Sequence, residues 1–215
     1  MKFNNVIFDF DGTLVDTRSG IIKAFQMMMG DLGFEPAGQK TISELIGIPL
    51  AQFVKILLKT EDDAIIKEGA SLFKKHYNEK YINDNIIYDG VYELLDSLKR
   101  HSIKSFVISN KIDIFLNQIL EQRDIKKFFI SVNGTDGTDA HSKKSDQVRN
   151  LIEKNCLNPA MTTIIGDRRD DIVAGKSNLI YAIGITYGYG SEEELIEAGA
   201  DMVVKDTTDL KSFLI

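Results

Sequence analysis

The chain has 215 residues, enough for one large domain or for one domain carrying a smaller insert. With 43% hydrophobic and 27% charged residues, an ordinary globular core is available. The formal net charge of -6, from 26 basic and 32 acidic residues, speaks against nucleic acid or an anionic membrane as a bulk-charge partner, but leaves room for a small anion in a local positive pocket.

Residues 1–5 contain no apolar signal core, and no run approaches the roughly 18 apolar residues of a membrane helix, so the chain reads as cytoplasmic. Residues 4–10 read as a first strand. The continuous run Val6-Ile7-Phe8 is the pattern of a strand buried on both faces, and Gly12 and Thr13 end it. From 19 to 32 the apolar spacing becomes helical, with Ile21, Ile22, Phe25, Met28, Met29 and Leu32 on one stripe. Residues 34–82 hold no convincing strand. Helices are predicted over 41–46, 49–59 and 62–81, with Pro49 at a first helical position and Glu61, Asp62 and Asp63 at a helix start.

After Asp89-Gly90 strands and helices alternate. The spacing predicts a helix over 91–100, a strand over 105–109, a helix over 112–121 and a weaker strand over 128–132. A polar loop over 133–143 leads to a helix over 145–155. Cys156, the single cysteine, excludes an intramolecular disulfide and suits a reducing compartment. Strands at 162–166, 180–185 and 202–204 follow, with helices at 170–177 and 191–198 between them. Such strand–helix repetition implies an α/β fold, an open parallel sheet with helices on both faces. The predicted organisation is a discontinuous core of 1–15 and 83–215 interrupted by an all-helical insert at 16–82.

Open parallel sheets bind ligands beyond the carboxyl ends of their strands. Asp9, Asp11, Gly12 and Thr13 stand there after the first strand, and Ser109 and Asn110 after the second. Asp167, Arg168, Arg169, Asp170 and Asp171 follow the fourth. The loop after the third holds Asp136, Asp139, His141, Lys143 and Lys144. Asp9 and Asp11, two apart, share one side of an extended strand at about 7 Å. Asp167 would complete a three-carboxylate cluster with them. Neighbouring carboxylates repel unless a cation sits among them, and oxygen-only ligands select a hard ion such as Mg²⁺. Ser109 and Asn110 offer a hydroxyl, an amide and backbone N–H groups to a phosphate, or else simply cap the next helix. A lone lysine in a polar loop is ordinarily solvated, and Asp9–Gly12 alone would also suit a solvated turn.

In order and place, these motifs resemble those of the haloacid dehalogenase superfamily of phosphohydrolases, most closely its phosphoglycolate-phosphatase-like members. The D-x-D-G-T motif stands as Asp9-Phe10-Asp11-Gly12-Thr13. Ser109 is the hydroxyl residue after an apolar strand, and Gly166, Asp167 and Asp171 form G-D-x-x-x-D. The motif lysine is Lys144 or Lys143. The family often has Lys-Pro, whereas Ser145 follows Lys144 here. The stretch Tyr187 to Ser191, Glu194-Leu195 and Ala198 to Asp201 is similar to the same subgroup.

The resemblance implies a Rossmann-like core with a helical cap, and Asp9 as a nucleophile that forms an aspartyl-phosphate. Asp11 would be the acid toward the leaving oxygen and then the base toward water, carrying a proton in one step and lacking it in the next. Mg²⁺ would be held by an Asp9 oxygen, the Asp11 backbone carbonyl and the Asp167 carboxylate, with Asp171 and Thr13 behind them. Ser109, Asn110 and Lys144 would hold the transferring phosphoryl group. The substrate would be a small phosphorylated metabolite of phosphoglycolate type, recognised in part by the loop 45–50. Arg18, Arg168 and Arg169 are candidates to meet a second anionic group.

A phosphosugar mutase, a 5′-nucleotidase or a pyrophosphatase would use the same motifs. A dehalogenase would not need the acid–base role of Asp11. A phospho-accepting signalling module would carry its aspartate where Ser109 stands and would lack the insert. Intact Asp9, Asp11 and Asp167 argue against a silent binding protein. The choice between monomer and homodimer stays open.

Overall fold

The computed structural model describes residues 3–137 and 143–215. Asp139 and His141 lie outside the described residues. Among those described, six strands form one parallel sheet: β1 (Asn5–Phe8), β4 (Lys104–Ile112), β5 (Phe129–Thr135), β6 (Thr162–Gly166), β7 (Tyr181–Ile185) and β8 (Met202–Val204). Their order is β5-β4-β1-β6-β7-β8. The chain runs outward from β1 through β4 to β5, then crosses back to place β6 on the other side of β1. The order therefore reverses at β1, and the ends of β1, β4 and β6 share one crevice, the place where open sheets of this kind bind ligands.

Side-chain alternation along each strand feeds two apolar layers. Val6, Phe8, Val107, Ile165 and Ile183 join one, and Ile7, Phe106, Ile108, Ile164 and Ala182 join the other. The first layer is closed by α5 (Val91–Arg100), α6 (Asp113–Gln122) and α10 (Thr207–Leu214), through residues such as Leu94, Leu116 and Leu210. The second is closed by α7 (Lys144–Lys154), α8 (Arg169–Ser177) and α9 (Glu192–Glu197), through Val148, Ile172 and Leu195. The predicted open α/β sheet with helices on both faces is thus the observed architecture.

Four helices lie between β1 and α5: α1 (Arg18–Asp31), α2 (Gln39–Glu44), α3 (Leu50–Leu58) and α4 (Asp63–His76). Asp62 caps α4 by accepting from the N–H groups of Ala64 and Ile65, and Pro49 caps α3 from just outside rather than occupying its first turn. A π-helical turn, Tyr77–Tyr81, continues α4 and turns Tyr77 inward, where it is 1% exposed. The insert is stapled at its neck by a short antiparallel pair, β2 (Val15–Asp16) with β3 (Ile86–Ile87). This pair is absent from the sequence reading because two-residue strands carry no periodicity.

Other boundaries move for tertiary reasons. The second core strand runs on to Ile112, and β5 extends through the polar Asn133-Gly134-Thr135 because it follows that longer neighbour. The helix α10 is short, and its signal, Asp206 accepting from Asp209 N–H ahead of Leu210 and Leu214, is a cap rather than a long stripe. Among the described residues no helix is long and apolar enough to cross a membrane.

Candidate active site

Asp9 follows directly on the central strand, and its N–H still donates to Ile165 O at 2.9 Å. The chain then closes tightly. The N–H groups of Thr13, Leu14 and Val15 all converge on Phe10 O at 3.0 to 3.2 Å, while Gly12 N–H reaches Val15 O. This turn requires the positive φ of Gly12, +87°. A Cβ there would stand 2.3 Å from Asp167 Oδ2 and 2.9 Å from the Tyr189 ring. Gly12→Ala is therefore expected to displace Asp167, costing about 2–4 kcal/mol of stability and most of the activity, as chemical denaturation and turnover would register.

Asp9, Asp167 and Asp171 are all buried, and each offers an oxygen within 4.8 Å of the others. Lys144 is embedded among them. Its ammonium donates to Asp9 Oδ1 and lies 2.5 Å from Asp171 Oδ1. Lys144 begins α7 and is 8% exposed, whereas the neighbouring Lys143 is exposed. Thr13 donates its hydroxyl to Asp167 Oδ1 at 3.2 Å, and Tyr189 N–H donates to Asp167 Oδ2 at 2.7 Å. Asp171 reaches the group from the first turn of α8, where its Oδ2 also accepts the N–H of Arg168 at 3.0 Å.

The carboxylate trio differs from the one expected. Asp11, although buried, turns its side chain the other way. Its Oδ1 accepts from Thr17 Oγ1 at 2.6 Å and from Lys111 Nζ at 3.0 Å. The strand has already ended at Phe8, so the alternation that placed Asp9 and Asp11 on one side no longer holds. Asp171 takes the third position because the helix following Asp167 folds its first turn back over the crevice.

Three carboxylates and one ammonium leave this buried group with excess negative charge. Burial pushes the Asp9 carboxyl well above its ordinary range, and Asp171 and Asp167 push the same way against the opposing charge of Lys144. Asp167 is raised from 3.8 to about 7, first by burial and then by Asp171. Burial opposes the charge of Lys144, but Asp171 and Asp9 outweigh it and hold the ammonium firmly protonated. An all-oxygen, electron-rich nest of this kind fits a hard dication better than it fits protons.

Ser109 is 2% exposed, and its Oγ accepts from Lys111 N–H at 3.1 Å. Asn110 donates from Nδ2 to Gly47 O at 2.8 Å, joining the sheet to the loop between α2 and α3. Residues 46–48 of the loop singled out in the sequence lie over Asp9. Arg168 is occupied by Glu194 at 3.2 Å and by Glu44 O at 3.2 Å, and Arg18 stacks 4.7 Å from the centre of the Tyr189 ring. Asp136 is exposed. Lys111 was missed. Its place is set by the fold, which carries β4 past Ser109 and brings Lys111 into the lining of the same pocket.

The family model of the haloacid dehalogenase-like hydrolases matches residues 6–185, the span holding Asp9, Asp11, Ser109, Lys144, Asp167 and Asp171. The chain belongs to the haloacid dehalogenase-like hydrolases. It is an enzyme of the phosphatase type within them, and its resemblance to the phosphoglycolate phosphatases extends over nearly its whole length. It is 30% identical over 199 residues to a 5′-nucleotidase of Pseudomonas aeruginosa, with 91% of this chain and 88% of the relative covered. It is 28% identical to a phosphoglycolate phosphatase of Photobacterium profundum, covering 95% of this chain and 93% of that one. Among solved structures, "a predicted phosphatase from Clostridium acetobutylicum" superposes with a TM-score of 0.92 at 28% identity, covering 100% of this chain and 99% of the other. This chain and that structure thus share the fold over nearly their whole lengths.

Proposed function

We propose that this chain is a Mg²⁺-dependent phosphatase that moves the phosphoryl group of a small phosphorylated metabolite onto Asp9 and then onto water. The observation that carries this reading is the split between the two motif carboxylates. Asp9 faces Lys144, Asp167 and Asp171, while Asp11 faces Thr17, Lys111 and the cavity beneath the insert. Nucleophile and proton carrier are thereby held in different electrostatic surroundings two residues apart.

In the first step an Asp9 carboxylate oxygen attacks phosphorus, the P–O bond to the leaving group breaks, and Asp11 gives that oxygen a proton. In the second, Asp11 takes a proton from water as the water oxygen attacks phosphorus, and the Asp9 carboxylate is released. Among the described residues both polar contacts of Asp11 fall on Oδ1, which leaves Oδ2 to carry the proton. The Lys144 ammonium offsets the charge that would otherwise repel a phosphate dianion from Asp9, and Ser109 and Asn110 stand where they can hold its oxygens. Asp9, Asp167 and the Asp11 carbonyl would hold Mg²⁺, with Asp171 beside them, and the ion would supply positive charge to the phosphoryl oxygens during transfer.

The helices at 16–82 act, in this reading, as a cap over a core of 1–15 and 83–215. They exclude water once the substrate is in place. The curated relatives support phosphoglycolate and nucleotides as the first substrates to try, and the absence of a long apolar helix among the described residues accords with work in the cytoplasm.

Release of inorganic phosphate from a panel of phosphorylated metabolites tests the proposal, and the expected result is turnover that depends on Mg²⁺. Recovery of all phosphate in an isomerised ester would identify a mutase instead. Mg²⁺ is also expected to stabilise the protein. At about a hundredfold excess over Kd the gain is about 2.7 kcal/mol, or roughly 5–10 °C in Tm for a chain of this size.

That gain has a definite pH dependence. A carboxyl raised from 3.8 to about 7 contributes stability that is complete below its unfolded value and is lost as the pH rises through 7. The metal-free protein is therefore expected to weaken between about pH 4 and 8, and the Tm gain from Mg²⁺ to be larger at pH 8 than at pH 5.5. A gain that shrinks as the pH rises would contradict it.

A further inference from the structure

The stretch that follows β7 carries no reacting group, yet it touches both arms of the site. Its backbone comes so close that a Cβ on Gly188 would stand 2.3 Å from Gly12 O and 2.4 Å from Asp167 Cβ. Tyr189 N–H holds Asp167 Oδ2 at 2.7 Å. The side chain of Tyr189 runs the other way, to the neck of the insert. There its phenol oxygen accepts the N–H of Thr17 at 2.9 Å, and its O–H donates to Asp16 Oδ1 at 3.2 Å. Thr17 Oγ1 lies 3.3 Å from the same phenol oxygen.

Thr17 is where this contact reaches the chemistry. It stands just ahead of α1, is 0% exposed, and gives its hydroxyl proton to Asp11 Oδ1 at 2.6 Å. A hydroxyl turns about its own bond unless its neighbours fix it. Here Tyr189 pins the backbone N–H of the same residue, so the direction of the Thr17 side chain is set from the far side of the site. Oδ1 can accept this bond whether Asp11 is a carboxylate or an acid protonated on Oδ2, so one arrangement serves both steps. A tyrosine that merely filled the gap beneath Arg18 would need only its ring, whereas here the oxygen makes the contacts with the neck.

We propose that Tyr189 is a positioning residue for proton transfer: its phenol fixes Thr17, and Thr17 aims the Asp11 carboxyl at the leaving oxygen and later at water. This rests on the phosphatase reading above and deepens it. In the first step the proton on Asp11 Oδ2 passes to the leaving oxygen as the P–O bond breaks. A weakly basic leaving group departs as an anion and needs little of this help, whereas a basic one needs the proton in the transition state. Loss of the phenol oxygen should therefore be felt in proportion to the basicity of the leaving group. Any residue in place of Tyr189 that keeps the backbone keeps the N–H bond to Asp167, so the demand for metal should not change.

The test compares phenyl phosphate with 4-nitrophenyl phosphate, aryl esters of similar shape whose leaving groups differ chiefly in basicity, in the unaltered enzyme and in Tyr189→Phe with Mg²⁺ present. The substitution keeps the ring and is expected to lower kcat/KM for phenyl phosphate by on the order of tenfold, and for 4-nitrophenyl phosphate by less than about twofold. The half-saturating Mg²⁺ concentration should stay in place. The quotient of the two esters is read on one sample, so any change in the folded fraction cancels. Thr17→Val, which keeps the N–H and removes the hydroxyl, should show the same selective loss, and the double variant should lose no more than Thr17→Val alone. Equal losses for both esters, no loss for either, additive losses in the double variant, or a raised demand for Mg²⁺ overturns the inference and leaves the phosphatase reading standing. Absence of phosphate release from both esters by the unaltered enzyme overturns both.

Discussion

Asp9→Asn is expected to lower kcat by about 10⁴- to 10⁶-fold, the loss typical of removing a covalent nucleophile, without unfolding the protein. The side chains have nearly the same shape, so packing at the end of β1 is kept. The electrostatics improve. Asp9 is one of three clustered carboxylates, and its own carboxyl is pushed upward by burial and by its two neighbours. A neutral amide removes part of that repulsion, and Lys144 retains Asp171 at 2.5 Å. Metal-free Asp9→Asn is therefore expected to melt at or above the temperature of the unaltered protein. Thermal denaturation beside a phosphate-release assay checks both halves. Turnover within tenfold of the original would remove Asp9 from the role of nucleophile.

The second large effect has the opposite signature. Lys144→Met removes the ammonium buried among Asp9 and Asp171 and leaves their charges unpaired. Breaking a buried ion pair from one side costs about 3–5 kcal/mol, on the order of 10 °C in Tm for a chain of this length. The lost charge is also the one that lets a phosphate dianion approach Asp9, so kcat should fall by roughly 10²- to 10³-fold. Mg²⁺ is expected to return part of the lost stability, because a dication can satisfy the same oxygens, but not the activity. If the melting temperature in the absence of metal stays within about 2 °C of the original, Lys144 is not the counter-ion that its contacts imply. Asp9→Asn and Lys144→Met thus separate two residues in contact. In the proposed mechanism the first is expected to be essential to catalysis at an electrostatic cost to the fold, and the second to serve both folding and catalysis.

Much of this site was legible in the chain. A continuous Val6-Ile7-Phe8 run demands a strand buried on both faces, and the regular alternation after Gly90 demands crossovers, so the parallel sheet followed from patterning. Strand ends in such a sheet converge, which is why Asp9, Ser109 and Asp167 could be named together. Asp62 announced its helix by the chemistry of a cap. Lys111 was not named, because the last residues of β4 are polar and the strand survives there only by pairing with β5. The pair β2–β3 was hidden for a related reason: two residues per strand are too few to show a period.

Local chemistry along the chain therefore determined which elements form, which faces of them are apolar, and which residue types stand at the sheet's carboxyl edge. What it did not determine is the direction each side chain takes after its element ends. The turn at Gly12 swings Asp11 away from Asp9 and onto Thr17 and Lys111, and the first turn of α8 carries Asp171 into the place beside Asp9 and Asp167. It likewise took the folded insert to bring Phe25, Phe53, Phe73 and Tyr77, up to 52 positions apart, into one wall over the nucleophile. Periodicity is a property of a single element, whereas a carboxylate cluster and an aromatic chamber are built where several elements meet, and only long-range packing sets those distances.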